Sequence, residues 1–390
     1  MINLSKRKTI HAYISGILAA LFFAFPSSLL SNPTNTEKTN NNKKEFFKIL
    51  STKIPKTRNI VYISENYGNT PITSSKPIST VKAMKEDGSD SISIIEGEAI
   101  FSIQVSPDKN KLLLIVPDHS PEKNENTDWL NSHIWLYSNG RMKQLTSGKV
   151  MDSDAVWSPS GDKIYFTRSE IFIDIISGTL TATEGNVWMM NIDESKPLQL
   201  TTSQENIANT TPAPIKNSKK ILFTSNRNGK WQMFTMDEDG LNQKLFIDNG
   251  MFGRWSPDGE FLAFMDSSPG DIYLASKDGG LIKRLTKEGD VDFSPTWSPD
   301  SQYLTYGRIN NKAPLEVPLT LHDAHFSENG THSHEEKDNK NMMTYIPKGF
   351  LQEEPYSDIW KLSITGKNTP KRLTNEGLNN SFPQWISQVK

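Results

Sequence analysis

The sequence predicts an all-β fold: a six-bladed β-propeller of four-stranded antiparallel blades. Seven is the competing count if an insertion hides a blade. Three observations predict it. A turn of the type Trp-Ser-Pro-Asp-Gly recurs along the chain, at Trp157, Trp255 and Trp297. Each copy is followed by an aromatic-rich strand and then by a short strand ending in Leu-Thr. Where copies follow without interruption, Trp255 and Trp297 lie 42 residues apart. Four short strands in roughly 40–45 residues is the period of a propeller blade.

Residues 1–31 read as a signal peptide or an uncleaved anchor. Lys6, Arg7 and Lys8 form a basic head, an apolar run spans Ile14 to Phe25, and Pro26 breaks it. That run is short for a membrane span and suited to export. The chain contains no cysteine, which excludes disulfides, a lipidated cysteine, thiolate metal sites and a cysteine nucleophile. Residues 32–57 are rich in Asn, Thr and Lys and read as a flexible polar leader, because so little apolar surface cannot offset the entropy of ordering.

From residue 58 to 390 the chain reads as the propeller. The turn motif appears as Gln104-Val-Ser-Pro-Asp, Val156-Trp-Ser-Pro-Ser-Gly, Arg254-Trp-Ser-Pro-Asp-Gly and Thr296-Trp-Ser-Pro-Asp, with a degenerate copy at Ala213-Pro-Ile-Lys-Asn. Proline presets φ, aspartate bonds its own backbone and glycine accepts positive φ, so each copy is a tight turn between two antiparallel strands. Pro159, Pro257 and Pro299 mark these turns, and Trp157, Trp255, Trp297 and Trp385 are the large packing groups between blades. The third strands are His133–Tyr137, Asn186–Met190, Trp231–Phe234, Asp271–Leu274 and Asp358–Leu362. The fourth end at Leu145-Thr146, Leu200-Thr201, Leu285-Thr286 and Leu373-Thr374.

The ends of the chain predict ring closure. Asn380–Trp385 starts a blade and nothing follows it, whereas Arg58–Ser64, Ser79–Met84 and Ser91–Ile95 supply the other three strands of a blade. Pairing the last strand with the first ones removes an open sheet edge.

Two insertions interrupt the repeat. Ser169–Gly185 reads as an extra hairpin on one blade. The longer one, about 310–355, carries His322, His325, His332 and His334 among several carboxylates. Imidazoles at that density hold zinc or a similar ion. A solvated polar loop is the favoured reading, since the four come from one segment with no rigid geometry. Met189-Met190 reads as core. Asp271 and Asp358 read as structural carboxylates at a blade loop, and Lys283-Arg284 and Lys371-Arg372 as a solvated rim.

The repeat resembles that of the TolB-type (WD40-like) propeller family over roughly residues 58–386, on the Trp-Ser-Pro-Asp-Gly turn, the Asp-Ile-Tyr-type strand and the Arg-Leu-Thr end. That family places a globular α/β domain before its propeller, where only a short polar leader is expected here. The resemblance implies stacked blades and an exported location.

Function is expected to be binding. Forty-three basic against 45 acidic residues, a net charge of −2, argue against nucleic acid as partner. Gly-x-Ser-x-Gly, P-loop, dinucleotide-binding and His-Glu-x-x-His motifs are all missing from the sequence. The expectation is an exported, periplasmic or extracellular, monomeric scaffold without catalytic residues or cofactor. It would recognise a protein, peptide or glycan in the cell envelope through its loops or channel mouth. The alternative is a propeller-type polysaccharide lyase or hydrolase with a channel metal site.

Overall fold

The computed structural model describes residues 47–66, 78–117, 131–173, 180–193, 196–266, 270–287, 291–309, 314–315, 346–347, 357–365, 369–376 and 378–386. Among them no helix occurs, and every regular element is a strand. The apolar segment at 1–31 and the four histidines of the long insertion lie outside the described residues.

The strands group in chain order into antiparallel units of four strands, with one extra strand in the third unit and, once the last strand joins it, in the first. The first holds β1 (Phe47–Ile49), β2 (Ile60–Asn66), β3 (Ile78–Met84) and β4 (Ile92–Glu98). The second holds β5 (Ser102–Val105), β6 (Lys111–Pro117), β7 (Ser132–Ser138) and β8 (Arg141–Gln144). The third holds β9 (Val150–Trp157), β10 (Lys163–Ile173), β11 (Leu180–Ala182), β12 (Asn186–Asn191) and β13 (Leu198–Gln199). The fourth holds β14 (Asn209–Pro214), β15 (Lys220–Ser225), β16 (Gln232–Asp237) and β17 (Lys244–Ile247). The fifth holds β18 (Met251–Trp255), β19 (Phe261–Met265), β20 (Ile272–Ser276) and β21 (Leu281–Arg284).

The sixth unit is β22 (Val291–Trp297), β23 (Tyr303–Ile309), β26 (Asp358–Ser363) and β27 (Lys371–Arg372), with the two-residue strands β24 (Pro314–Leu315) and β25 (Ile346–Pro347) paired inside its insertion. The last strand, β28 (Asn379–Trp385), returns to the first unit and pairs antiparallel with β2, matching Ile60 to Trp385 and Glu65 to Asn379. β28 also packs against β22 and β23 on one side and β5 on the other, so the units close into a ring.

The second strand of each unit explains the packing. Side chains alternate between sheet faces, and here both faces meet a neighbour. In β6, Leu112, Leu114 and Val116 pack toward the first unit, while Leu113 and Ile115 pack toward the third. In β10, Ile164 and Phe166 face the second unit and Tyr165 the fourth. In β19, Leu262 and Phe264 face the fourth unit and Ala263 the sixth. A last cluster joins Tyr303, Ile359 and Leu373 of the sixth unit to Ile60, Tyr62, Met84 and Trp385 of the first. Each gap between neighbouring units is therefore filled by its own apolar core.

The recurring turn is built by its serine. Ser106, Ser256 and Ser298 each donate to the aspartate two residues on, at 2.5 Å, and accept the N–H five residues on, at 2.9 Å. In the third unit the carboxylate has moved to Asp162, which accepts from Ser158 at 2.8 Å. Hydrogen bonds from Ser160 and Ser158 hold that carboxyl below the usual range. The residue closing the turn has positive φ: Lys109, Gly161, Asn217, Gly259 and Ser301. The turn is a type I turn followed by a left-handed residue, a common hairpin connection.

Two of the tryptophans latch unit to unit. Trp297 Nε1 donates to the carbonyl of Arg254 (2.8 Å), and Trp157 Nε1 to that of Gln104 (3.3 Å), each on the inner strand of the preceding unit. Gly88 and Gly240, at the turns after third strands, have φ of 93° and 86°, and a Cβ on either would collide with the carbonyl of Leu373 or Leu200 of the preceding unit.

Residues 47–57, assigned by sequence to the leader, are folded. β1 pairs with β4, Phe47 meets Trp135 edge-on with ring centroids 5.2 Å apart, Tyr137 hydroxyl donates to Ser51 carbonyl, and Ile54 is buried. A few apolar residues suffice because they fill a cleft that the first two units have already made. In the insertion at 169–185, β11 pairs with the end of β10 as a hairpin.

Truncating Trp385 to alanine is expected to cost about 3–5 kcal/mol, as for a buried tryptophan, and is checked by urea denaturation. Burial pushes the Tyr62 phenol up to about 12, against the opposing hydrogen bond with Ser91 at 2.9 Å. The folded state thus keeps its proton where the unfolded chain releases it near pH 10. This stabilisation is complete below that pH and is lost as pH rises toward 12, by about 2–3 kcal/mol. Tyr62→Phe should flatten that alkaline slope in pH-dependent denaturation.

Candidate functional site

The innermost strands β5, β9, β14, β18, β22 and β28 neighbour one another around the ring axis. Five of them share an irregularity. Asp154, Thr211, Phe252, Ser294 and Phe382, each three residues before the tryptophan position, have φ between 49° and 56°. Pairing with the second strand slips there, for example between Met251 and Arg254 and between Phe293 and Thr296. These are β-bulges carrying residues other than glycine in the left-handed region, a conformation that costs of order 1–3 kcal/mol and clusters at functional positions.

Four of these bulges border an axial cavity of about 50 Å³. Its wall is Asp154, Phe252, Ser294 and Phe382 from the bulges, with Ser102, Ile103, Gln104, Ala155, Arg254, Pro295, Thr296 and Gln384 beside them. Asp154 and Arg254 are its charged lining residues. Both are half-buried in the cavity wall. Burial pushes the Asp154 carboxyl above its usual range, opposed by Arg254 and by hydrogen bonds from Ser153 and Thr167. The same burial lowers Arg254, which Asp154 partly offsets.

Outside the channel, a second repeat ties the inner strand to its neighbour. Arg168 clamps Asp152 through two bonds of 2.6 and 2.9 Å and stacks on Phe166 and Trp188. Arg308 clamps Asp292 at the same distances and stacks on Tyr306 and Trp360. In the fourth unit Arg227 bonds Asn209 at 2.8 Å over Phe223 and Phe234. The geometry is that of a structural staple, since the acids are fully buried and both carboxylate oxygens are used.

The rim assignment changes in part. Arg284 pairs with buried Asp271, and Arg372 with buried Asp358 at 2.5 Å, so these arginines are tied to the sheet while their side chains remain partly solvated at the rim. Thr374 hydroxyl donates to Asp358 (2.9 Å) while accepting Ile359 N–H (2.9 Å), which accounts for the recurring Leu-Thr end. Thr146, Thr201 and Thr286 accept the corresponding N–H groups.

The structure places Trp157, Trp255, Trp297 and Trp385 at the ends of inner strands, and Pro159, Pro257 and Pro299 in the turns beyond them. Met190 lies in the core between the second and third units, and Met189 packs against the core between the third and fourth. Sequence reasoning missed the bulge residues and Arg254. The signal was there: aligning on the tryptophan puts Val156, Ala213, Thr296 and Gln384 in the position that Arg254 fills. Among the described residues no group of three or more histidines and carboxylates could hold a metal ion, and no helix is long and apolar enough to cross a membrane.

Residues 175–317 match the TolB beta propeller domain. A Tol-Pal system protein TolB from Anaeromyxobacter dehalogenans (strain 2CP-C) is 33% identical over 90 residues, 22% of this chain and 21% of that protein. The match thus spans about a fifth of the relative's length. The crystal structure of TolB from Acinetobacter baumannii superposes with a TM-score of 0.58 at 18% identity, covering 85% of this chain and 67% of that one. The structure of a putative TolB from Agrobacterium tumefaciens gives 0.51 at 12% identity, covering 84% and 98%. At these identities the likeness concerns the fold.

Breaking one buried staple should be costly. Asp292→Ala strands Arg308 and is expected to destabilise by about 3–5 kcal/mol. Replacing both by apolar residues should recover most of that loss in a double-mutant cycle measured by urea denaturation.

Proposed function

We propose that this chain, which matches the TolB beta propeller domain over residues 175–317 and shares the fold of TolB structures, acts as an exported, non-enzymatic binding or scaffold protein of the cell envelope. It holds a protein or peptide partner at the mouth of its axial channel. The observation that carries this reading is the ring of bulged inner strands, which turns Phe252, Phe382, Ser294 and Asp154 onto one small cavity. Apolar rings set among hydroxyls and amides, on rigid strands, suit recognition of a peptide better than bond cleavage. Retaining backbone strain at five equivalent positions fits a surface selected for what it presents. Export is supported by the basic head and apolar run at the N-terminus.

The alternative, a saccharide lyase or hydrolase with a channel metal, needs several metal-binding side chains from different blades. The described lining supplies one carboxylate and one guanidinium, which favours binding.

Site-specific photocrosslinking in envelope extracts tests the proposal. A crosslinker replacing Phe382 or Phe252 is expected to trap a single protein species. One replacing the exposed rim residue Leu281 should not. Equal yields from rim and channel, or a glycan trapped instead of a protein, would overturn the protein-binding reading.

A further inference from the structure

Asp154 and Arg254 face the same cavity from different blades, and docking a protein at the mouth leaves both unused. Arg254 donates to the carbonyl of Gly253 at 3.0 Å. A guanidinium carries five N–H donors, so most remain for whatever occupies the cavity. Asp154 accepts from Ser153 at 3.0 Å and from Thr167. Among the described residues no contact ion pair joins the two, yet each acts on the other through space.

The groups facing them are neutral. β5 contributes Ser102 and Gln104, β22 Ser294 and Thr296, and β28 Phe382 and Gln384. β10 contributes Thr167, which also accepts Thr211 N–H of β14 at 3.0 Å. Asp154 and Arg254 therefore balance each other alone. With the carboxylate ionised, the cavity is neutral. With it protonated, a guanidinium is left uncompensated in a poorly solvated space, which is costly. A cavity of about 50 Å³ has room for a few waters or one small ion.

We propose that the axial cavity binds one small monovalent anion, a halide or a short carboxylate, on the Arg254 guanidinium, and that each anion enters with one proton taken up by Asp154. The anion replaces the charge that protonation removes, so the cavity stays neutral throughout. No bond other than the carboxyl O–H is formed. The site stands whether or not a protein docks at the channel mouth.

Linkage sets the pH dependence. Above the pKa of Asp154, apparent affinity falls about tenfold per pH unit. Below it, affinity levels off. Calorimetric titration of the full chain with chloride and with formate, at matched ionic strength from pH 5 to 8, reads this directly. Asp154→Asn keeps a residue that tolerates left-handed φ, so the bulge is preserved. It is expected to bind the anion at pH 8 as tightly as the native protein does at its acid plateau, with no pH dependence. Arg254→Gln should lose binding altogether, with circular dichroism confirming the fold. If that variant fails to fold, the asparagine variant decides alone. Binding by chloride or by formate supports the site and identifies the anion class. The proposal is overturned if neither anion binds at pH 5, if Arg254→Gln binds unchanged, or if Asp154→Asn still weakens as pH rises.

Discussion

Each four-stranded sheet in this protein is apolar on both faces, and a sheet so made is stable only with a neighbour on either side. That requirement generates the rest. Leu112 and Leu113 are adjacent in sequence yet belong to different cores, as are Ile164 and Tyr165. An open stack would leave two end faces wet. Closing the stack covers them, and the closing strand is β28, whose Trp385 and the neighbouring Tyr62 complete the core against Ile359 and Leu373. The N-terminal strand β1 then caps the outer edge of the first unit, reducing what would otherwise be an open ladder.

Closure has a geometric consequence at the axis. Inner strands converge where there is little room, and regular pairing would carry their side chains into one another. In four inner strands a bulge before the tryptophan slips the register and turns one residue onto the axis, while β5 pairs regularly. What that residue is depends on the blade: a carboxylate at 154, a hydroxyl at 294, and rings at 252 and 382, whereas Thr211 stays buried with its hydroxyl bonded to that of Thr224 at 2.6 Å. The scaffold repeats while the axial wall does not. This division lets one fold carry different binding chemistry, and it is why the channel, not the conserved-looking turn, is the candidate site.

Polar groups buried by this packing are satisfied in repeating ways. The Asp–Arg clamps on the aromatic pairs at 166 and 188, and at 306 and 360, give each acid both of its bonds and each guanidinium a ring to cover. The Leu-Thr threonines supply a second acceptor for strand N–H groups. Such clamps contribute less as net energy than as register, since a slipped strand would strand a charge in the core.

The repeat made much of this legible in advance. Turn chemistry, strand order within a unit and pairing of the last strand with the first follow from local residue types and spacing, because a Ser-Pro-Asp-Gly turn or a doubly apolar strand has the same cause wherever it occurs. The roles of Arg284 and Arg372 were not legible, since a basic residue on an outer strand looks solvated until the buried aspartate on the neighbouring strand is seen. Nor was the fold of residues 47–57, whose few apolar groups depend on a cleft made by others. The axial wall is the clearest case. By itself the sequence determined the blade and its period, through short-range backbone preferences. Only the tertiary structure decided that Asp154 and Arg254, a hundred residues apart, share one cavity, because that meeting exists only once the ring has closed.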